Sequence, residues 1–241
     1  MSERIEVELI DSVYMRIKAD AGLKTELSDF FAFKPEGYQF SPKYKARVWD
    51  GTIRLFQAMR PVLYVGLYPH LKKFCEQRDY VLEAPASISE QENIEDGYVE
   101  ELAEEINCKF KPRDYQIEYI NNALRNRRSL SLSPTSSGKS LIIYLIQQHY
   151  YQTFGLRTLI IVPTISLVHQ MAGDFVDYGC DESDIYKIQD CVDKNTKSPI
   201  VISTWQSLVK QDKNWFGQFG CVMGDEAHTF QAKSLTTIMH K

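Results

Sequence analysis

One short segment has the residue types and spacing of a phosphate-binding loop. It runs from Ser133 to Ser140 and reads S-P-T-S-S-G-K-S, between a predicted strand at residues 130–133 and a predicted helix at residues 139–150. In such loops backbone N–H groups at a helix N-terminus bind phosphate oxygens, a lysine adds positive charge, and a hydroxyl ligates Mg²⁺. The alternative is a chance G-K-S in a polar loop, since the general pattern has glycine where Ser133 stands. We predict a nucleotide site formed by Thr135, Ser136, Ser137, Gly138, Lys139 and Ser140, with Lys139 catalytic and Ser140 a Mg²⁺ ligand.

Two adjacent carboxylates follow a second apolar run. Residues 221–224 are predicted to form a buried strand, and Asp225, Glu226 and His228 follow it in the quartet D-E-A-H. A carboxylate at a strand end can hold Mg²⁺ through water, and its neighbour can orient and deprotonate an attacking water. We assign these two roles to Asp225 and Glu226 and count His228 among the catalytic residues. In the alternative interpretation, the two acids cap the next helix and His228 is a packing residue.

The elements around these residues alternate between strands and helices. Apolar runs at residues 130–133, 158–162, 200–203 and 221–224 have the length of buried strands, and helices are predicted at residues 139–150 and 167–176. This alternation predicts a parallel sheet covered on both faces. The fold class is therefore α/β, with a P-loop domain of the RecA type at residues 109–241.

A small α+β domain is predicted to precede it, at residues 1–83. Its strands are expected at residues 5–9, 13–17, 53–56 and 62–65. One helix is expected behind a cap at Asp20, and a second has Pro69 in its first turn. The residues expected on the inward faces of these helices are Leu23, Leu27, Phe30, Phe31, Leu71, Phe74 and Cys75.

An acidic stretch at residues 84–108 is predicted to link the two domains. The chain of 241 residues has a net charge of −4, yet eight acids lie at residues 84–107 without a lysine or arginine. Outside this stretch there are 28 basic and 24 acidic residues, so the charge does not exclude a DNA partner. The stretch is interpreted as a linker ending in a helix that buries Val99, Leu102 and Ile106, and the alternative is a regulatory segment that mimics DNA.

Cysteine content and hydropathy exclude several other classes of protein. The five cysteines are scattered and form no C-x-x-C pair, so we expect reduced thiols and neither a disulfide framework nor a zinc site. No run approaches the roughly 20 apolar residues that span a bilayer, and the first residues lack a signal peptide. We expect a soluble protein with no membrane partner.

A basic and aromatic segment in the first domain is a candidate DNA-binding surface. Lys43, Lys45 and Arg47 alternate with aromatic residues, among them Trp49. Such a segment can neutralise phosphates while its aromatic rings stack on bases. The alternative is a β-hairpin that turns at Asp50-Gly and has aromatic cross-strand pairs.

The second domain resembles superfamily 2 helicases of the D-E-A-H type. The resemblance implies that R-D-Y-Q, from Arg113 to Gln116, binds adenine, although Gln116 could instead simply open a helix. It also implies two motifs that hold the phosphates of a DNA strand during translocation. Both motifs are expected at the carboxyl ends of neighbouring β-strands. The residues assigned to these motifs are Pro163, Thr164, Thr204, Trp205 and Gln206, with Trp205 equally compatible with the core.

The first domain, with the phrases F-F-A-F, G-Y-Q-F and V-W-D-G-T-I-R-L, is similar to recombination helicases of tailed phages. This similarity implies a monomeric motor in the host cell cytoplasm that uses ATP and Mg²⁺. Its implied activities on branched DNA are fork regression and junction migration, together with the unwinding of RNA–DNA hybrids.

The printed sequence departs from the helicase pattern after the D-E-A-H quartet. An S-A-T-like coupling motif and a second RecA-like domain do not occur before Lys241. We therefore expect a fragment, or a split or truncated protein, with three functional interpretations. The first is an ATP-dependent DNA helicase or translocase, the second is an ATP- and DNA-binding module without turnover, and the third is the motor part of a restriction endonuclease.

Overall fold

The computed structural model describes residues 3–134, 136–189 and 195–227. The chain divides into two compact units, Met1–Gln91 and Glu92–Lys241. The division falls inside the acidic stretch. No helix in the described part of the chain is both long enough and apolar enough to cross a membrane.

The first unit is a mixed sheet with helices on one face. Its elements are β1 (Arg4–Leu9), β2 (Tyr14–Lys18), α1 (Ala21–Phe30), β3 (Ala32–Phe33), α2 (Pro42–Lys45), β4 (Ile53–Arg54), β5 (Val62–Tyr64), α3 (Tyr68–Glu76), β6 (Val81–Glu83) and α4 (Ala86–Ser89). Four strands form a sheet in the order β5-β2-β1-β6, in which β1 is antiparallel to β2 and parallel to β6. Strands β3 and β4 form a separate antiparallel pair.

Alternation along the strands builds the core of this unit. Ile5 and Val7 on β1, with Met15 and Ile17 on β2, point into one apolar cluster with the buried faces of α1 and α3. The Asp20 carboxylate accepts a hydrogen bond of 2.8 Å from the Leu23 N–H, which confirms the predicted cap. Most of the predicted inward residues are buried, but Phe30 is 38% exposed.

The second unit contains a parallel sheet. Its elements are α5 (Tyr98–Glu105), α6 (Asp114–Asn126), α7 (Lys139–Phe154), β7 (Thr158–Val162), α8 (Ile165–Tyr178), β8 (Ile185–Ile188), β9 (Ile200–Thr204), α9 (Trp205–Leu208), α10 (Lys213–Phe216) and β10 (Cys221–Gly224). The strand order is β10-β7-β9-β8, and every pairing is parallel. The expected α/β architecture is confirmed.

Apolar residues cover both faces of this sheet. Ile160 and Val162 on β7 belong to a cluster with α5, α6, α7 and α8, whereas Leu159 and Ile161 belong to a cluster with α9 and α10. Every residue of β7 and β9 is buried, as continuous apolar runs in a doubly covered parallel sheet predict.

The predicted strand at residues 130–133 is wrong. The segment has no strand conformation, and Leu130 and Leu132 are 71% and 81% exposed. The Leu132 carbonyl accepts a hydrogen bond from the Tyr119 hydroxyl (2.7 Å). Alternation over four residues fits a strand, but a pattern this short does not specify a partner strand.

The acidic stretch ends in a helix that packs inward. Val99 and Leu102 of α5 are buried, as predicted, and Ile106 is partly buried just after the helix. The Glu92 carboxylate lies 3.8 Å from Arg127 Nε and 3.6 Å from His149 Nε2. From Glu92 onward the stretch therefore packs in the second unit, while its interpretation as a linker stays a prediction.

Four free cysteines are described, whereas Cys191 lies outside the described residues. Burial raises the pKa of Cys75, Cys180 and Cys221 to about 11. These three thiols are therefore protonated near neutral pH.

Candidate active site

The predicted phosphate loop ends at Gly138, which has a left-handed backbone conformation and directly precedes the first residue of α7. Gly138 has φ of 73°, and a Cβ atom there would lie 2.5 Å from Gln116 Nε2. Both the conformation and the close approach require glycine. The Ser137 hydroxyl donates to the Pro134 carbonyl (2.9 Å) and contacts the Ser133 hydroxyl, so the loop is fixed by its own side chains.

Lys139 and Glu226 meet at this loop. Lys139 is the first residue of α7, and its Nζ atom lies 3.5 Å from Glu226 Oε1. The Asp225 N–H donates to the Ile161 carbonyl (3.0 Å), which continues the pairing of β10 with β7 beyond the strand end. The Glu226 N–H in turn donates to Asp225 Oδ1 (2.9 Å). The predicted phosphate-binding cation and the predicted general base are therefore neighbours.

Gln116 links α6 to the phosphate loop. It is 4% exposed, and its Oε1 accepts a hydrogen bond from the Arg113 N–H (2.9 Å). Its Nε2 donates to the Ser137 carbonyl (3.0 Å) and the Gly138 carbonyl (3.3 Å). The side chain thus opens a helix and supports the loop, while adenine recognition by Arg113 and Gln116 stays a prediction.

A cavity of about 410 Å³ adjoins the loop. Arg113, Gln116, Ser136, Ser137 and Gly138 line it, together with residues that the sequence did not single out. Those additional residues are Phe110, Lys111, Tyr115, Leu141, Asp174, Asp177 and Tyr178. Five of the eight predicted nucleotide residues therefore line one cavity, whereas Lys139 and Ser140 are not in its lining.

Tyr178, the last residue of α8, contacts the predicted Mg²⁺ ligand. Its hydroxyl lies 2.7 Å from Ser140 Oγ, and its ring stands edge-on to Phe110 with centroids 5.4 Å apart. Burial raises the pKa of Tyr178, and the bond with Ser140 opposes that rise. Sequence spacing gives no signal for this contact, because the two residues are 38 positions apart.

The predicted Mg²⁺ ligands Ser140 and Asp225 both lie in the described part of the chain. A hydroxyl and a carboxylate are the oxygen ligands that Mg²⁺ prefers. No cluster of three or more metal-binding side chains occurs among the described residues.

The two predicted strand-tracking motifs lie side by side, since β7 and β9 are paired from Thr158 to Val162. Thr164 is exposed and caps α8, accepting a hydrogen bond from the Leu167 N–H (3.3 Å). Gln206 is exposed and its Nε2 donates to the Pro163 carbonyl (3.5 Å). A hydrogen bond therefore connects Gln206 of one motif to Pro163 of the other.

The other two residues of these motifs are less accessible. Thr204 is buried, and its hydroxyl contacts Ser207 Oγ at 3.1 Å. Trp205 is partly buried against the cluster that contains Leu159 and Ile161. A DNA contact of the Thr204 side chain thus requires a local rearrangement, whereas Trp205 keeps part of its surface exposed.

The basic segment of the first unit forms helical turns. Lys43 and Lys45 lie on α2, Arg47 follows it, and all three are exposed. Because residues 38–40 and 42–45 form short helices, the hairpin proposed as an alternative is wrong. Trp49 is half-buried, and its indole N–H donates to the Thr52 carbonyl (2.9 Å).

The predicted residues Thr135 and His228 lie outside the described residues.

Two known families match separate parts of the chain, much as the structure divides into two units. Residues 4–84 match the family described as DNA helicase UvsW, N-terminal, and residues 109–241 match the family described as type III restriction enzyme, res subunit.

Two curated relatives are similar to this chain. The ATP-dependent DNA helicase uvsW of Enterobacteria phage T4 is 38% identical over 245 residues, which cover 98% of this chain and 49% of the relative. The DNA 3'-5' translocase XPB2 of Sulfurisphaera tokodaii is 33% identical over 98 residues, which cover 41% of this chain and 20% of that relative. The chain thus spans about half the length of the phage relative.

Two crystal structures of the UvsW helicase from bacteriophage T4 have the same fold. Each is 37% identical to this chain and covers all of it, with TM-scores of 0.83 and 0.84. This chain covers 88% of one solved chain and 50% of the other.

Proposed function

Because the chain belongs to the superfamily 2 helicases and to the family described as type III restriction enzyme, res subunit, we propose that it is an ATP-dependent motor acting on branched DNA. The observation that carries this proposal is the distance of 3.5 Å between Lys139 Nζ and Glu226 Oε1. It supports Lys139 as the phosphate-binding cation and Glu226 as the general base, because both lie beside a parallel sheet, at whose edge ligands of α/β proteins bind.

In this proposal the residues of the loop bind the phosphates of ATP. Backbone N–H groups at residues 135–140 and the start of α7 hold the phosphate oxygens, and Lys139 neutralises their charge. Ser140 and Asp225 would hold Mg²⁺, which supplies further positive charge to the β- and γ-phosphates. Arg113 and Gln116 hold the adenine end.

Glu226 then activates the attacking water. The carboxylate accepts a proton from water, the water oxygen bonds to the γ-phosphorus, and the bond from that phosphorus to the ADP oxygen breaks. The products are ADP and phosphate. His228, from the same quartet, is counted among the catalytic residues.

DNA contacts are assigned to both units. Thr164 and Gln206 are exposed at adjacent strand ends and can bind phosphates without reading bases. In the first unit, Lys43, Lys45 and Arg47 can neutralise phosphates, with Trp49 beside them. We further propose a monomer that works in the host cytoplasm and also unwinds RNA–DNA hybrids.

The test compares DNA structures with the full-length protein. ATP hydrolysis and strand displacement are measured with a fork, a four-way junction and a linear duplex of equal length. Greater stimulation and strand displacement on the fork and the junction support the proposal. Equal stimulation by linear duplex, without displacement, would instead favour a restriction-type motor, and DNA binding without hydrolysis would favour a module without turnover.

A further inference from the structure

A groove in the first unit adjoins the basic segment at residues 38–51, because its lining residue Arg54 pairs with Asp50 of that segment. It has a volume of about 760 Å³. One wall is the outward face of β2 and β5, where Tyr14 pairs with Tyr64 and Arg16 with Val62. The other wall consists of Arg54, at the end of β4, and of Met59 and Arg60 in the segment that follows it.

Three guanidinium groups line this groove. Arg60 is exposed and forms no ion pair with any residue in the described ranges, whereas Arg16 lies 3.4 Å from Glu8 and Arg54 lies 2.7 Å from Asp50. Both pairs are about half exposed, so each contributes little and a phosphate can replace the carboxylate. The groove can therefore offer up to three cations to a polyanion.

Aromatic and apolar surface lies between these charges. The Tyr14 and Tyr64 rings have centroids 5.0 Å apart and planes inclined by 31°, and Tyr64 is 37% exposed. Met59 is 97% exposed at the opposite wall. Burial and a hydrogen bond with Tyr64 raise the pKa of Tyr14, and the charge of Arg60 opposes that rise. Arg60 therefore lies close enough to the two tyrosines for its charge to act on Tyr14.

A single-stranded nucleic acid fits this combination better than a duplex does. In a duplex the base faces are already stacked on each other, so a protein meets mainly phosphates and groove edges. An unpaired strand exposes base faces, which stack on aromatic rings while its phosphates bind arginines. Exposed tyrosine and methionine beside three arginines offer both kinds of contact.

We propose that the groove bounded by Tyr14, Arg16, Arg54, Met59, Arg60 and Tyr64 binds an unpaired strand of the nucleic-acid substrate. The inference rests on the proposed function, because the groove provides a binding site for the single-stranded arm of a branched DNA. Tyr64 stacks on one base, and Arg60 binds an adjacent phosphate.

The test measures binding of a fluorescent oligothymidine and of a blunt duplex to the full chain. The variants are Arg60→Ala and Tyr64→Leu, with Arg4→Ala as the control, since Arg4 is an exposed arginine that pairs with Glu83 on β6, at the opposite edge of the same sheet. We expect each groove variant to weaken oligothymidine binding at least about five-fold, and Arg60→Ala to flatten the salt slope by about 0.7. The control should bind like the unchanged chain, and duplex binding should change less than two-fold.

A second readout does not depend on affinity. Bromodeoxyuridine in the oligonucleotide should photocrosslink to a peptide containing Tyr64 or Met59. Crosslinks confined to other peptides, or unchanged oligothymidine binding in both groove variants, would overturn the inference. If oligonucleotide binding follows the expected pattern but ATP is not hydrolysed by the full-length protein, the proposed function fails and the groove assignment stands.

Discussion

The Lys139 Nζ atom lies 3.5 Å from Glu226 Oε1 and joins the start of α7 to the end of β10. The two side chains that we assign to phosphate binding and proton abstraction therefore bind each other. A γ-phosphate must compete with Glu226 for Lys139. Both side chains are about one-third exposed, so the pair contributes at most about 1 kcal/mol.

The first prediction is that Glu226→Gln separates binding from hydrolysis. The amide releases Lys139 but cannot accept the proton of water, so ATP affinity should rise up to about five-fold while turnover falls at least about a hundred-fold. Binding is measured with a fluorescent ATP analogue and turnover by phosphate release. Normal turnover in this variant would mean that another group is the base.

The second prediction concerns the bond between Tyr178 and Ser140. A Ser140 hydroxyl that binds Mg²⁺ has to give up this contact of 2.7 Å. We expect Tyr178→Phe to lower the Mg²⁺ concentration that half-saturates nucleotide binding, by up to about five-fold, because one neutral hydrogen bond is worth about 1 kcal/mol. Tyr98→Phe is the control, since that hydroxyl bonds His149 instead. A higher Mg²⁺ requirement in Tyr178→Phe would show that Tyr178 supports the metal site.

The third prediction is a loss of stability in acid. Burial lowers the pKa of His149 from its ordinary value of 6.5, and Glu92 opposes this shift. The neutral ring is therefore favoured in the fold, so its contribution to stability is present above pH 6.5 and is lost as the pH falls below it.

We expect the thermal unfolding midpoint to fall between pH 7 and pH 5, and to fall less in His149→Gln. His70→Gln, at an exposed position of α3, should behave like the unchanged chain. An equal fall in His149→Gln would assign the acid sensitivity to other groups.

Local patterns predicted much of this fold. Asp20 precedes a helical repeat of apolar residues and caps α1, and the apolar runs of β7 and β9 are buried throughout. Both features depend on residues close together in the chain. The loop and carboxylate motifs likewise indicated Lys139 and Glu226 as residues of one site, and the structure places them 3.5 Å apart.

Features that depend on distant partners could not be predicted. The segment at residues 130–133 alternates like a strand, but no pairing follows from that pattern. Strand β8 reads I-Y-K-I and was missed, because its short mixed run resembles a loop. The contact of Ser140 with Tyr178 and the groove beside Tyr64 arise from tertiary packing of separate elements.

The fourth prediction tests the basic segment of the first unit. Replacing Lys43, Lys45 and Arg47 with alanine should flatten the salt dependence of duplex binding by about 0.9 for each lost phosphate contact. Lys72→Ala is the control, because Lys72 is exposed on α3 and pairs with Glu76. An unchanged slope in the triple variant would remove this segment from the DNA surface.

Trp49 needs a separate measurement. Its indole N–H bonds the Thr52 carbonyl, so Trp49→Phe removes this bond and keeps an aromatic ring. If Trp49 is mainly structural, the unfolding midpoint falls before DNA affinity does. Weaker DNA binding at an unchanged midpoint would assign the ring to stacking.

The most direct test of the nucleotide site is the rate of ATP hydrolysis by full-length Lys139→Ala in the presence of forked DNA. Removing the main phosphate-binding cation should reduce the rate at least about a hundred-fold, while the unfolding midpoint stays close to that of the unchanged protein. Lys187→Ala, which removes a partly buried lysine paired with Glu182, should retain full activity. Hydrolysis by Lys139→Ala at the unchanged rate would contradict the assignment of this loop as the ATP site.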